Sequence, residues 1–337
     1  MYSAACDHLR RVDDRGSYAE LHLTLECDRA GVVTSRDVDE DHCAAALDRW
    51  LRAHPGRTLT ELVVTTSRVH NGSFAPVVDV LARHRPEIVR LGLGALLFPD
   101  FERGDHAPTT PSGDGSSWRL SVPLDRVFAA VPALGELVVQ CNDIALVDTG
   151  PSRVWPKTAH LRRLVLRDEA IDPAVVSALG AGSFPRLESL ELWLGRFGYG
   201  WGGSARDLLP LLNGPGFESL RRLTLVSDVS DELVDVLADS ALGARLWSLR
   251  LPFGVLDADA ALRLCERWSA FGELRRLDVT GNAIPAAAAR ALRSKAPDVV
   301  NLGRQYVHVD EDPYFAPPLV SLFDAWSSDT CDGGPRH

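Results

Sequence analysis

Lysine is almost missing from this chain. Lys157 and Lys295 are the only two among 36 Lys and Arg residues, so nearly all the positive charge is arginine. With Ala, Gly and Pro abundant, that bias reads as genome composition rather than mechanism. Positive charge is itself in deficit: the net charge of −10 argues against a general nucleic-acid or anionic-membrane binder, which needs clustered cations. A local basic patch remains allowed. No apolar run approaches the ~20 residues of a membrane span. The six cysteines (Cys6, Cys27, Cys43, Cys141, Cys265 and Cys331) are scattered without a C-x-x-C pair, which predicts reduced thiols in a cytoplasmic protein. The opening Met1–Asp7 faintly mimics a lipoprotein box but lacks the charged and apolar regions that must precede one.

Motifs that carry chemistry are also wanting. There is no G-x-S-x-G, no H-E-x-x-H and no P-loop lysine. Leu91-Gly-Leu-Gly94 lacks the third glycine of a dinucleotide fingerprint. Cys27, Asp41, His42 and Cys43 have the wrong separation for paired zinc ligands, and a helix start sets His42 and Cys43 on different faces. Asp310 and Asp312 lie in a tail with nothing to orient them. No catalytic residue, metal or cofactor is expected.

What the chain has is repetition. Leu274-Arg-Arg-Leu277-Asp-Val279-Thr-Gly-Asn282-Ala-Ile284 reads L-x-x-L-x-V-x-x-N-x-I, the strand half of a leucine-rich repeat. Leu277 and Val279 alternate with polar residues as a half-buried strand requires. Asn282 falls where the chain must turn, and its amide can pair backbone groups the turn leaves open. The second leucine of this template recurs as Leu62, Leu91, Leu137, Leu164, Leu190, Leu223, Leu249 and Leu277, with spacings of 29, 46, 27, 26, 33, 26 and 28 and a degenerate last strand near Val300. Most of these fit the long-repeat range of roughly 20–29 residues. Helices are predicted between them over Pro76–His84, Val122–Val131, Pro173–Leu179, Ala205–Leu212, Asp231–Leu237, Ala258–Trp268 and Pro285–Leu292. A unit of one strand and one helix cannot bury its apolar face alone, so the units must stack. The expected fold is an α/β leucine-rich-repeat solenoid, a horseshoe with parallel strands on the concave face and helices on the convex face.

Three regions follow from this pattern. Residues 1–57 form an N-terminal capping segment, with a strand at Leu21–Leu25 and a helix over Asp39–Ala53; 58–306 form the solenoid; 307–337 form an acidic, proline-rich tail. The spacing of 46 holds a Pro/Gly/Ser-rich insert over Phe98–Trp118, and the spacing of 33 holds the glycine-aromatic loop Gly195–Gly203. Leu187-Glu-Ser-Leu-Glu-Leu-Trp-Leu-Gly195, Tyr199-Gly200, Leu274–Ile284 and the closing Val299–Leu302 up to Tyr314 carry a resemblance to the ribonuclease-inhibitor-like class of leucine-rich repeats. More narrowly, residues 18–316 resemble an uncharacterised bacterial family of that class. The resemblance implies the fold and no established activity, and it does not extend to the Pro111–Ser117 insert or to the stretch after Pro318.

Residues between the consensus apolars project into the concavity. Arg167, Glu191, Trp193, Arg222, Arg250 and Asp278 are the candidate partner-binding set, because tryptophan and arginine dominate binding hot spots. A solvated sheet face with cross-strand pairs, Glu191–Arg222 and Arg250–Asp278, accounts for the same residues. Phe197, Tyr199 and Trp201 could stack on a sugar, a base or a partner proline, or fold back over the edge of the sheet. The leading expectation is a cytoplasmic, non-enzymatic scaffold that holds a protein partner on its concave face. The rivals are an enzyme or small-ligand (carbohydrate or nucleotide) binder at loop 195–203 and a regulatory subunit docking through the N-terminal segment.

Overall fold

The structure is a computed structural model and describes residues 21–24, 40–53, 55, 59–66, 72–95, 120–141, 143–146, 158–168, 170–195, 201–229, 231–303 and 305. The insert, Phe197, Tyr199 and the C-terminal tail, on all of which expectations were placed, lie outside the described residues.

Thirteen strands and eight α-helices are described. The strands are β1 (Leu21–Thr24), β2 (Leu59–Thr66), β3 (Gly72–Ser73), β4 (Ile88–Ala95), β5 (Leu120–Pro123), β6 (Glu136–Gln140), β7 (Asp143–Ala145), β8 (Arg163–Arg167), β9 (Ser189–Gly195), β10 (Arg222–Ser227), β11 (Ser248–Arg250), β12 (Arg276–Asp278) and β13 (Val300–Asn301). The helices are α1 (Glu40–Ala53), α2 (Ala75–His84), α3 (Leu124–Ala130), α4 (Pro173–Ala181), α5 (Leu209–Asn213), α6 (Asp231–Ala238), α7 (Ala258–Glu266) and α8 (Ala286–Lys295). None is long and apolar enough to cross a membrane.

Ten strands form one sheet in the order β1-β2-β4-β6-β8-β9-β10-β11-β12-β13, every pair of them parallel. Parallel crossovers are right-handed almost without exception, so an order that never reverses carries every connecting helix to the same face. The register is strict. Leu21, Leu62, Leu91, Leu137, Leu164, Leu190, Leu223, Leu249, Leu277 and Val300 pair one to the next across the whole sheet. The eight predicted leucines of that row are 0–1 % exposed. They share one core with Val77, Leu81, Val176, Leu179, Leu237 and Leu264 of the helices.

The template extends one turn further back than the leucines show. Leu187, Leu220 and Leu274 donate their amides to the carbonyls of Phe184, Phe217 and Phe271, three residues earlier. The Phe184 and Phe217 rings stack at 5.4 Å, so these two neighbouring turns bury their rings against each other. Asn282 meets its expected role: its amide nitrogen donates to the carbonyls of Leu251 (2.8 Å) and Val279 (2.9 Å), and its oxygen accepts from Leu256 N–H at 3.0 Å. Asp172 caps the start of α4, accepting from Ala174 N–H at 2.8 Å. Asp257 does the same for α7, accepting from the amides of Asp259 and Ala260.

Two features depart from the simple strand-helix repeat. The wide spacing between Leu91 and Leu137 holds β5 and α3, and β5 joins β3 and β7 in a second, parallel three-stranded sheet. At its β7 edge the Asp168 carboxylate accepts the Ile144 amide at 2.7 Å, where a further strand would otherwise pair. At the other end of the chain β1 is the edge strand, and α1 is tied to α2 by Asp48, which accepts from Arg83 at 2.8 Å and contacts His84 at 2.7 Å.

Leu164→Ala and Leu190→Ala are each expected to lose about 2–5 kcal/mol in urea unfolding, as buried leucine truncations do. Ser189→Ala, on the opposite face, should stay within about 0.5 kcal/mol. Asn282→Ala should cost at least about 2 kcal/mol, because it strands buried backbone groups. Equal losses at Leu190 and Ser189 would contradict the alternation.

Candidate functional site

The face turned away from the helices is built by alternation. In β9, Leu190, Leu192 and Leu194 enter the core, and Ser189, Glu191 and Trp193 take the other side. Register then makes two rows across that side. One runs Val63, Gly92, Val138, Val165, Glu191, Thr224, Arg250, Asp278 and Asn301. The other runs Thr65, Gly94, Gln140, Arg167, Trp193 and Val226.

This face is closed at one end and open at the other. Val138, Val165 and Val226 are 0–1 % exposed although none of them belongs to the main core. Gly92 makes part of that closeness, since a Cβ there would stand 3.4 Å from Val63. Toward β10–β12 the face opens: the side chains of Arg222 and Arg250 are 53 % and 35 % exposed.

Trp193 sits at the boundary, half-buried, and is held from two directions. Its indole N–H donates to Glu191 Oε1 at 3.0 Å, and the Arg167 guanidinium lies 5.1 Å from its ring centroid. Arg167, buried, also donates Nε–H to Glu191 Oε1 at 2.8 Å and reaches Gln140 Oε1 at 3.3 Å. Residues 191 and 193 share a face two positions apart, and Arg167 is the cross-strand neighbour of Trp193. The long arginine therefore reaches diagonally to the carboxylate, within the span of such pairs. Burial pushes the Glu191 carboxyl upward, but the charge and hydrogen bond of Arg167, with Arg250 and Arg163 beyond, outweigh it and leave the group below the usual carboxylate range.

Of the expected cross-strand pairs, Arg250–Asp278 is present at 3.3 Å. Glu191–Arg222 is not: Glu191 is taken by Arg167, and Arg222 lies nearest Glu188 at 3.8 Å. Asp278 is buried and also accepts the Thr280 amide at 3.0 Å, so it orients Arg250 while pinning the turn. The six candidate residues thus divide. Trp193, Arg222 and Arg250 present surface; Arg167, Glu191 and Asp278 support them from beneath. Gln140 belongs to the same support and was missed; it stands three residues after Leu137, the offset that places Arg167 after Leu164 and Trp193 after Leu190. Trp201 has folded back and is buried beside Gly203, which removes its ring from any exposed stacking surface.

Other reactive groups are quiet. Cys141 and Cys265 are free thiols. Burial, then the Asp168 charge, pushes the Cys141 thiol far up, so it stays protonated. Among the described residues no group of three or more His, Cys, Asp or Glu could hold a metal ion.

No protein-family model matches the chain, and no curated protein does. Among solved structures it is similar to a Bacteroides fragilis protein determined as a Northeast Structural Genomics Consortium target, with a TM-score of 0.60 and 18 % identity over 80 % of this chain and 74 % of that one. At that identity the likeness concerns the fold alone.

Glu191→Gln tests the support under Trp193. A carboxyl held below its unfolded value contributes its full stability above about pH 4.3 and loses it as the pH falls toward the folded value. The wild type should therefore be more stable than Glu191→Gln at pH 7, with the gap closing below about pH 4.3. Parallel unfolding-midpoint curves for the two proteins would remove Glu191 from that role.

Proposed function

We propose that the chain is a leucine-rich-repeat horseshoe of the ribonuclease-inhibitor-like kind, acting as a cytoplasmic, non-enzymatic scaffold that binds a protein partner on its concave face. The unbroken leucine register and the Asn282 turn support the repeat reading. The observation that carries the binding reading is Trp193. It is a half-buried ring fixed by Glu191 and Arg167, on the same face as the open arginines of β10 and β11. A ring already held in place loses little freedom on binding, so its contact area is available for affinity. Arg222 and Arg250, farther along the same face, supply charges that steer and select.

A photo-cross-linking residue placed at Ser189 in the native host should capture the partner, and the same residue at Arg293 on α8 should not. With the captured protein purified, Trp193→Ala should weaken binding at least about thirtyfold, the scale of a tryptophan hot spot. Arg222→Glu should mainly slow association and change its salt dependence. If Trp193→Ala and the Arg222→Glu/Arg250→Glu pair both bind as tightly as the wild type, the concave face is not the site.

A further inference from the structure

Five dipeptides lead into successive strands along one rim of the sheet: Arg162-Arg163, Glu188-Ser189, Arg221-Arg222, Trp247-Ser248 and Arg275-Arg276. The backbone locks them side by side. The Arg162 carbonyl accepts the amides of Glu188 (2.8 Å) and Ser189 (3.1 Å), and Glu188 serves Arg221 and Arg222 in the same way. The Arg221 carbonyl accepts Trp247 (2.8 Å) and Ser248 (3.1 Å), and Trp247 in turn accepts Arg275 (2.8 Å) and Arg276 (3.0 Å). Each dipeptide therefore stands one strand spacing, ~4.8 Å, from the next.

Charge along this rim alternates and then stops alternating. Glu188 answers the arginines on both sides, at 2.7 Å from Arg162 and 3.8 Å from Arg222. One step on, between Arg221 and Arg275, the acid's place is held by Trp247. That ring is 45 % exposed, one of three large apolar side chains so exposed among the described residues. The Arg275 guanidinium lies 5.2 Å from its centroid, and Glu273 accepts its indole N–H at 3.2 Å. Arg221 gives its guanidinium to the backbone carbonyls of Glu218 and Leu220, and Arg245 reaches the carbonyl of Phe217. Burial and then the charge of Arg221 lower the affinity of Arg245 for its proton, as expected for cations held close together. Among the described residues neither Arg221 nor Arg275 has a carboxylate within ion-pair distance.

We propose that Arg221, Arg222, Trp247 and Arg275 form a docking site for an acidic polypeptide segment of a partner. Its carboxylates meet Arg221 and Arg275 on either side of Trp247, and an aromatic or proline ring covers the indole. Guanidinium groups suit this role because they take carboxylates bidentately and stack on indole. Nucleic acid fits less well. Its phosphates repeat along the whole strand and would also have to pass Glu188 between Arg162 and Arg222, whereas a peptide can place carboxylates opposite Arg221 and Arg275 alone. The site rests on the scaffold reading, extends its surface onto the adjoining rim with Arg222 common to both, and gives the partner a chemistry.

The test uses the full chain and a fluorescein-labelled random copolymer of glutamate and tyrosine, followed by polarisation at low salt. The expected result is binding that weakens with salt and that drops at least about tenfold in Trp247→Ala and in Arg275→Gln, with unchanged thermal midpoints. Arg162→Ala, on the balanced part of the rim, and Trp193→Ala, on the inner face, should stay within about twofold. The proposal is overturned if the copolymer does not bind, if Trp247→Ala binds it like the wild type, or if oligo-dT competes for it as well as unlabelled polyglutamate does. A loss confined to Trp193→Ala also overturns it, and transfers acidic binding to the concave face.

Discussion

Everything in this molecule depends on parallel strands held in unbroken register. A parallel strand has no hairpin to fix its position and must be reached by a crossover. Among the described residues every crossover in the main sheet except that from β6 to β8 contains a helix, and the next strand settles with its second leucine opposite the previous one. A slip of one residue would turn every leucine of a strand to the other face, so the burial of that row enforces the register as much as it results from it. The carbonyls at the strand entrances add a second lock, each accepting two consecutive amides of the following unit. With register fixed, the faces follow. Helices and leucines close one core, and whatever stands between the leucines is delivered in straight rows to the other side.

Those rows explain how a mostly internal ion pair can matter to a surface. Burying Arg167 and Glu191 carries a desolvation cost that much of their mutual attraction goes to offset, so the pair adds less stability than its geometry suggests. What it does provide is orientation. One carboxylate oxygen receives both the guanidinium of Arg167 and the indole of Trp193, and the guanidinium also lies against the ring. The tryptophan cannot rotate without breaking the hydrogen bond and leaving the cation contact. The same division recurs two strands along the face, where buried Asp278 steadies half-exposed Arg250.

The leucine row was legible because one residue type at one offset marks it in every unit, and an insertion between units does not disturb it. The pairing of Leu91 with Leu137 across the longest gap shows this. The second sheet was not legible. β3, β5 and β7 are two to four residues long and include Gly72 and Pro123, so no alternation can develop in them. Val122 read as the start of a helix for the same reason; it belongs to β5, and α3 begins at Leu124. Within the site, residue identity and facing were readable, but partners were not. The expected pair joined Glu191 to Arg222, two residues off its straight-across neighbour Thr224, yet Arg167 on the strand to the other side reaches the carboxylate first. The closed end of the face was hidden too, since Val138, Val165 and Val226 are apolar on both sides of their strands' alternation.

The arginine bias looks different once side chains are in place. Genome composition can fill an exposed surface with arginine at no structural gain, and pairs such as Arg263–Asp235 between α7 and α6 ask nothing that lysine could not supply. Arg167 and Arg275 are another matter. Each lays a flat guanidinium over an indole, and Arg167 in addition directs separate N–H groups to Glu191 and Gln140. An ammonium is a compact, strongly hydrated point charge; it could approach either ring, but it could not present a plane to the ring and a fork to two acceptors together. Composition made arginine the residue at hand, and the row geometry put two of them where only its shape serves. In both places the guanidinium lies over a tryptophan that the sheet holds at a fixed position; at Trp247 the cation and the ring face solvent together, whereas at Trp193 the buried cation steadies the ring from beneath.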